Sequence, residues 1–269
     1  MLGEIFQYDF FRRALVAGTF LSCAAALLGL FLILRKDAMM GHGLTHIAFA
    51  GVALALLFNL APFPVALLIS ALAAFLILKV RERAGLYGDT AIAILSSLGM
   101  ALGIILASLS NHFNVTLLSF LFGNILAVSH FELYSSVALA LIVIVSIVLF
   151  YHELLYTTFD EESARAGGLP VGFFDALLAV LTAITVVIGM KIVGLLLVSA
   201  LLVIPAAAAL QVSPSFRVCV FLAALFGIAS TLFGIISAWI FNLPASGAIV
   251  LCAGIIFSFC FLWRHLRAS

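Results

Sequence analysis

Two histidines four residues apart, His42 and His46, are the side chains best suited to chemistry in this chain. They lie in Gly41-His-Gly-Leu-Thr-His46, and on a helix that spacing puts both imidazoles on one face. Neutral imidazoles so placed can hold a borderline divalent metal ion. The pair is only a fragment of a closed site, and the plain alternative is two hydrogen-bonding histidines at a membrane interface. Asp89, in Gly88-Asp-Thr90, is a second candidate. A carboxylate beside Thr at a helix start is commonly an N-cap; the functional alternative is a pathway carboxylate that assists a cation. Lys191 separates two apolar runs with almost no linker, and an ionisable group within the membrane is a functional candidate by default. His112, His130, Glu132 and Asp175 also stand near the ends of apolar runs, where snorkelling explains them.

A different kind of chemistry is docking. Asp160, Glu161, Glu162 and Arg165 place four charges within six residues, in a chain of which only 9% is Asp, Glu, Lys or Arg. They belong to the polar island Phe159-Asp-Glu-Glu-Ser-Ala-Arg-Ala-Gly-Gly-Leu-Pro170, which long apolar stretches flank. Such an island in a membrane protein is a docking surface facing water. Its order predicts a short exposed helix, acidic at its start, small in the middle at Ala164 and Ala166, and closed by Gly167, Gly168 and Pro170.

The remaining residues must position these groups in a bilayer. Hydrophobic side chains make up 66% of the chain, more than one soluble core can hide. Apolar runs of about 18 residues or more recur along its length, which predicts an all-α polytopic membrane protein rather than a membrane barrel. Spans are expected at 14–34, 44–60, 63–79, 89–110, 131–151, 172–190, 193–210, 217–240 and 245–263, about nine in all and between about eight and ten. The short apolar piece 115–128 reads as re-entrant, interfacial or a further crossing. Gly99-Met-Ala-Leu-Gly103 predicts close helix packing, and Pro205 predicts a kink or break in its span. Cys23, Cys219, Cys252 and Cys260 lack C-x-x-C spacing and read as buried small hydrophobes.

Orientation follows from the basic residues. Arg35, Lys36, Lys79, Arg81, Arg83, Arg217, Arg264 and Arg267 share one side of this map. Taking that side as cytoplasmic puts the N-terminus outside and the polar island inside. Arg12 and Arg13 break the pattern, so residues 1–13 are expected to lie as an amphipathic segment on the outer surface, with Phe6, Phe10 and Phe11 dipping in. The first residues are mixed and acidic rather than basic and then apolar, so the first span is expected to act as its own insertion signal. Residues 1–269 read as a single membrane domain.

Several functions are excluded or disfavoured. A net charge of +1 gives no sign of a nucleic-acid partner. The phosphate loop G-x-x-x-x-G-K followed by Ser or Thr is absent, so the chain does not bind ATP by that device. His152-Glu153 lacks the second histidine of a zinc-protease motif. The fifth, seventh, eighth and ninth expected spans hold no central acidic residue, where a proton- or sodium-coupled carrier needs ionisable groups. Energy is therefore expected from another subunit. A self-powered carrier or channel is the alternative, and an intramembrane zinc enzyme built on His42 and His46 a third reading, without a general base beside the pair.

Four segments resemble the ABC-3 family of membrane permeases, which import zinc, manganese or iron in bacteria. Arg35-Lys-Asp-Ala-Met-Met-Gly-His-Gly-Leu-Thr-His-Ile-Ala-Phe-Ala-Gly51 resembles the family's RR-x-x-x-x-GDALSHA-x-x-PG stretch. Asp89-Thr-Ala-Ile-Ala-Ile94 resembles its DTAIGI, and Leu121-Phe-Gly-Asn-Ile-Leu-Ala-Val128 its LFGDILAV. The run from Lys191 to Ala208 resembles its VGALLVSALLIIPAATA. The polar island resembles the family's FDPEFARALGLP and the GEISARQLGLP segment of the larger vitamin B12 and siderophore permeases.

This likeness runs from Arg12 to the C-terminus and implies the type II importer fold of the vitamin B12 permeases, in a bacterial or archaeal cytoplasmic membrane. It implies a transport subunit that performs no chemical step and carries no cofactor. Its partners would be membrane lipid, a second copy lining a shared pathway, two ATP-binding subunits below, and an extracytoplasmic metal-binding protein above. Residues 159–170 would be the cytoplasmic coupling helix, with Asp160, Glu161, Ala164 and Gly168 as its ATPase contacts. His42, His46 and Asp89 are assigned to the metal pathway, and Lys191 and Pro205 to structure or gating. The family usually has Asp where this chain has His42. A His/His pair is softer than Asp/His and leans toward zinc over manganese. Asn124 likewise replaces a common Asp.

Overall fold

The structure is a computed structural model and describes residues 8–84, 88–109, 120, 121, 123 and 128–268. Those residues form eleven helices: α1 (Asp9–Leu34), α2 (Met40–Leu57), α3 (Pro62–Ala84), α4 (Gly88–Leu109), α5 (His130–Leu149), α6 (Tyr151–Phe159), α7 (Glu161–Ala166), α8 (Val171–Ile192), α9 (Leu195–Val212), α10 (Phe216–Phe241) and α11 (Ala245–Ala268). In hydrocarbon every backbone N–H and C=O must be paired within the segment, so the apolar runs become helices whatever their local propensity. The breaks fall where the chain leaves the helical basin. Lys36, Asn59 and Asn242 have positive φ, as does Gly194. Pro62 begins α3, and Pro244 precedes α11.

Eight of these helices are long and apolar enough to cross a bilayer, namely α1–α5, α8, α10 and α11. Contacts sort their ends into two groups. At one end Tyr8, Phe10 and Phe11 gather on Trp239, Phe63 meets Phe131, and Lys191 pairs with Glu132. At the other, Phe31 and Phe159 meet Phe216, Arg35 pairs with Asp175, Arg81 pairs with Asp37, and Arg264 donates to Gln211. The apolar helix α9 leaves Lys191 at the first end and delivers the chain to Phe216 at the second. Its 18 residues rise about 27 Å at about 1.5 Å each, enough to make that passage. The described residues thus make nine traverses, in the places the hydrophobic pattern predicts. The second end carries most of the basic side chains, which marks it as the cytoplasmic one.

Helices α1, α2 and α8 are mostly buried, while most residues of α3, α4, α5, α10 and α11 are partly or fully exposed. The inner layer is held by close approach of backbones at glycine. A Cβ on Gly29 would stand 1.6 Å from the Leu202 carbonyl oxygen, and one on Gly227 would stand 2.7 Å from that of Ser22. Gly99 and Gly103 lie against Ile47, Phe49 and Ala50 of α2, so the G-x-x-x-G pattern is helix packing within the chain.

Residues 9–13 form the first turns of α1, and Phe11 is buried against Trp239. The aromatic contact draws this turn into the bundle; residues 1–7, including Phe6, lie outside the described residues. Pro205 does not break its span, because α9 runs continuously from Leu195 to Val212. The expected span 131–151 is α5, which ends at Leu149, where Phe150 turns the chain into the separate helix α6. His112, Asn124 and most of 115–128 lie outside the described residues.

Gly29→Ala should be strongly destabilising, because the added methyl meets a backbone oxygen that no rotamer change can move. The expected penalty is at the top of the usual overpacking range, about 3 kcal/mol. Thermal melting of the detergent-solubilised variant reads it, and an unchanged melting temperature would contradict the packing of α1 on α9.

Candidate metal pathway and docking helix

The turn that launches α2 fixes where the histidines stand. Helix α1 ends in a Schellman motif with Lys36 as its left-handed residue. The Lys36 N–H donates to the Ile33 carbonyl at 3.1 Å, and the Asp37 N–H to that of Leu32 at 2.8 Å. The Asp37 carbonyl then accepts from the Met40 N–H at 2.9 Å, which opens α2. His42 and His46 follow on one face of that helix, with their Nε2 atoms 3.0 Å apart. The rings meet edge to face, with centroids 4.6 Å apart. His42 is exposed and His46 partly buried. A Cβ on Gly41 or Gly43 would strike Leu202 or Ile92, so these glycines let α9 and α4 press on the far side of α2.

Two facing imidazole nitrogens at this distance can share a proton or face one cation. Among the described residues, no group of three or more His, Cys, Asp and Glu gathers in a metal-holding arrangement. A two-ligand site holds an ion weakly, which suits passage better than storage. Asp89 is exposed in the first turn of α4, within the helix rather than before it. Contacts of Gly43 with Ile92 and of Gly99 with Ile47 make α2 and α4 parallel neighbours, so Asp89 lies at the same cytoplasmic end as His42.

The polar island forms the helix that its order predicts. Asp160 caps α7, its Oδ1 accepting from the Ser163 N–H at 3.0 Å. Hydrogen bonds from Ser163, side chain and then backbone, hold the Asp160 carboxyl below its usual range. A second Schellman motif ends the helix. Gly168, at φ 85°, is its left-handed residue, and the Leu169 N–H donates to the Ala164 carbonyl at 3.1 Å. Asp160, Glu161, Glu162, Ala166 and Gly168 are exposed. Ala164 is fully buried: its small side chain faces inward and lets α7 lie close to the bundle.

Beneath α7 lies a network that the sequence did not reveal. The Arg35 guanidinium pairs with Asp175, donates from Nη2 to Thr157 Oγ1 at 2.7 Å, and donates from Nε to Thr158 Oγ1 at 3.2 Å. Arg81 pairs with Asp37 at 2.7 Å and reaches Asp175 at 3.6 Å. The side chains are 10% exposed at Arg35, 14% at Asp175, 25% at Arg81 and 8% at Asp37. Burial lowers the affinity of Arg35 for its proton, and Asp175, followed by Asp37 and Glu161, opposes that effect. The guanidinium stays charged. An open cavity of about 440 Å³ borders this cluster and the face of α7. The only sequence signal was a set of opposite charges on the same side of the map.

Lys191, in the last turn of α8, pairs with Glu132 at 2.9 Å. Glu132 also completes a capping box with Ser129 at the start of α5. This outer pair secures the Val193–Gly194 corner before α9. Pro205 is buried within α9.

Comparison with known proteins agrees with this architecture. The manganese transport system membrane protein MntC of Listeria monocytogenes is 36% identical over 262 residues, covering 97% of this chain and 93% of that protein. The manganese import system permease protein ScaB of Streptococcus gordonii is 33% identical over 261 residues, covering 96% and 94%. Among solved structures, PsaBC from Streptococcus pneumoniae in complex with Fab superimposes with a TM-score of 0.85 at 34% identity, covering 97% of this chain and 95% of that one. A family model described as the ABC 3 transport family matches residues 7–264. The chain belongs to the ABC 3 transport family.

Proposed function

We propose that this chain is the membrane permease subunit of an ATP-binding-cassette importer whose substrate is a divalent transition-metal ion. The observation that carries the reading is the His42–His46 pair, two imidazole nitrogens 3.0 Å apart on the exposed face of a membrane helix. The names of the relatives support metal transport and do not favour a self-powered carrier. The missing phosphate loop leaves ATP hydrolysis to a separate subunit. Exposed Asp160, Glu161 and Gly168 on α7 offer that subunit a water-facing grip on the inner side.

The assembly is two copies of this chain, two ATP-hydrolysing subunits below and a metal-binding protein above, in a bacterial plasma membrane. A second copy apposed along the pathway would bring a second histidine pair, and the shared ion would be released when the copies separate. The ligands favour zinc, because two imidazoles form a softer set than manganese prefers. The manganese named for the relatives stands against that choice.

His46→Ala should lower metal uptake by vesicles containing the whole transporter about tenfold or more, the scale of losing a metal contact, while assembly persists. Undiminished uptake would reduce the pair to packing. Ala166→Trp, a change on the open face of α7, should abolish co-purification of the ATP-hydrolysing subunit and leave the melting temperature of this chain unaltered. Normal co-purification would remove α7 as the docking element. In competition uptake zinc should displace manganese; preferential manganese uptake would overturn the ligand argument.

A further inference from the structure

We propose that the Arg35–Asp175–Arg81–Asp37 network is the linkage that carries movement of α7 to the histidine-bearing helix α2. The proposal rests on the permease reading above and names the positioning residues for its transport step.

Helix α7 meets the network through its flanks, with Glu161 adding a nearby negative charge to Arg35 and Arg81. It lies against its flanking helices α6 and α8, and one residue, Asp160, separates it from α6. Both flanks end on the same guanidinium. Thr157 and Thr158, in the last turn of α6, accept from Arg35, and Asp175, near the start of α8, pairs with it. The Thr157 hydroxyl donates its own proton to the Glu153 carbonyl at 2.9 Å, which leaves a lone pair for Arg35. Displacing α7 with either flank therefore pulls on Arg35. Arg81 repeats the connection, joining Asp175 to Asp37.

The receiving end has no slack. Arg35 and Asp37 sit in the α1–α2 turn, where Asp37 donates to Leu32 at 2.8 Å and accepts from Met40 at 2.9 Å. His42 is the third residue of α2. A pull at Arg35 or Asp37 thus rotates or shifts the first turn of α2 rather than dissipating in a flexible loop. Buried ion pairs contribute little net stability, and their best-attested use is fixing register between elements or switching it. Two cations and two anions joined in one neutral chain suit that use. An arginine fork can hold three acceptors in fixed directions, whereas a lysine ammonium cannot.

The test measures ATP hydrolysis and metal uptake in the same vesicles, with this chain assembled with its ATP-hydrolysing subunits. Arg81→Met and Arg35→Lys should keep hydrolysis while metal moved per ATP falls at least tenfold. Exchanging the charges, Arg81→Asp with Asp37→Arg, should recover part of that ratio. A ratio in Arg81→Met and Arg35→Lys equal to that of the unmodified chain would overturn the linkage and leave the permease reading intact. Absence of ATP-driven uptake by the unmodified chain would remove both. A readout without a disrupted network uses a spin label at exposed Met39 (Met39→Cys), between Asp37 and His42. Its spectrum should change when the assembled transporter turns over ATP, and an unchanged spectrum during active uptake would overturn the proposal.

Discussion

One guanidinium organises the inner face. Arg35 lies where α1 ends, α6 ends and α8 begins, and it is almost enclosed. A charge that cannot be neutralised must be satisfied in such a place, and the penalty for leaving it unpaired exceeds that of most packing errors. Thr157, Thr158 and Asp175 have to be where they are because Arg35 is there. Their positions fix the two strands of chain from which α7 hangs, and the turn around Arg35 fixes the start of α2. Helix α7 and the histidine pair are thereby referred to one point, although about 120 residues of sequence separate His42 from α7.

Around that point the molecule combines stiffness with a weak site. Glycines bring α1 onto α9, α10 onto α1 and α4 onto α2 at distances that admit no side chain. Helices packed in this way shift as units, since dense interiors transmit strain rather than absorb it. The histidine-bearing face of α2 is open by contrast. Under the proposed function, two imidazoles there would hold an ion far less firmly than a closed tetrahedral site does. Such a body could deliver force, and such a site could let go.

The parts legible in the sequence were those decided locally. Hydrophobic runs gave the spans because a bilayer forces helices wherever side chains are apolar. Four-residue spacing placed His42 and His46 on one face, and Gly167-Gly168 closed α7 through left-handed geometry that glycine supplies. What escaped was decided across the chain. Arg35 meets Asp175 from 140 residues away, and Lys191 meets Glu132 from 59 away. No periodicity encodes either pairing. The inward turn of Ala164 and the capture of Phe11 by Trp239 likewise depend on neighbours from other helices. Pro205 failed to break α9 because burial in the bundle overrode its local cost.

In the proposed function, a separate ATP-hydrolysing subunit grips this protein at α7 on the cytoplasmic side. Photo-cross-linking from position 162, an exposed site on that helix, in intact cells measures it most directly. A cross-link to a nucleotide-hydrolysing subunit is expected, together with protection of the site from membrane-impermeant reagents added outside. Labelling of position 162 from outside the cell, with no nucleotide-hydrolysing subunit captured, would contradict it.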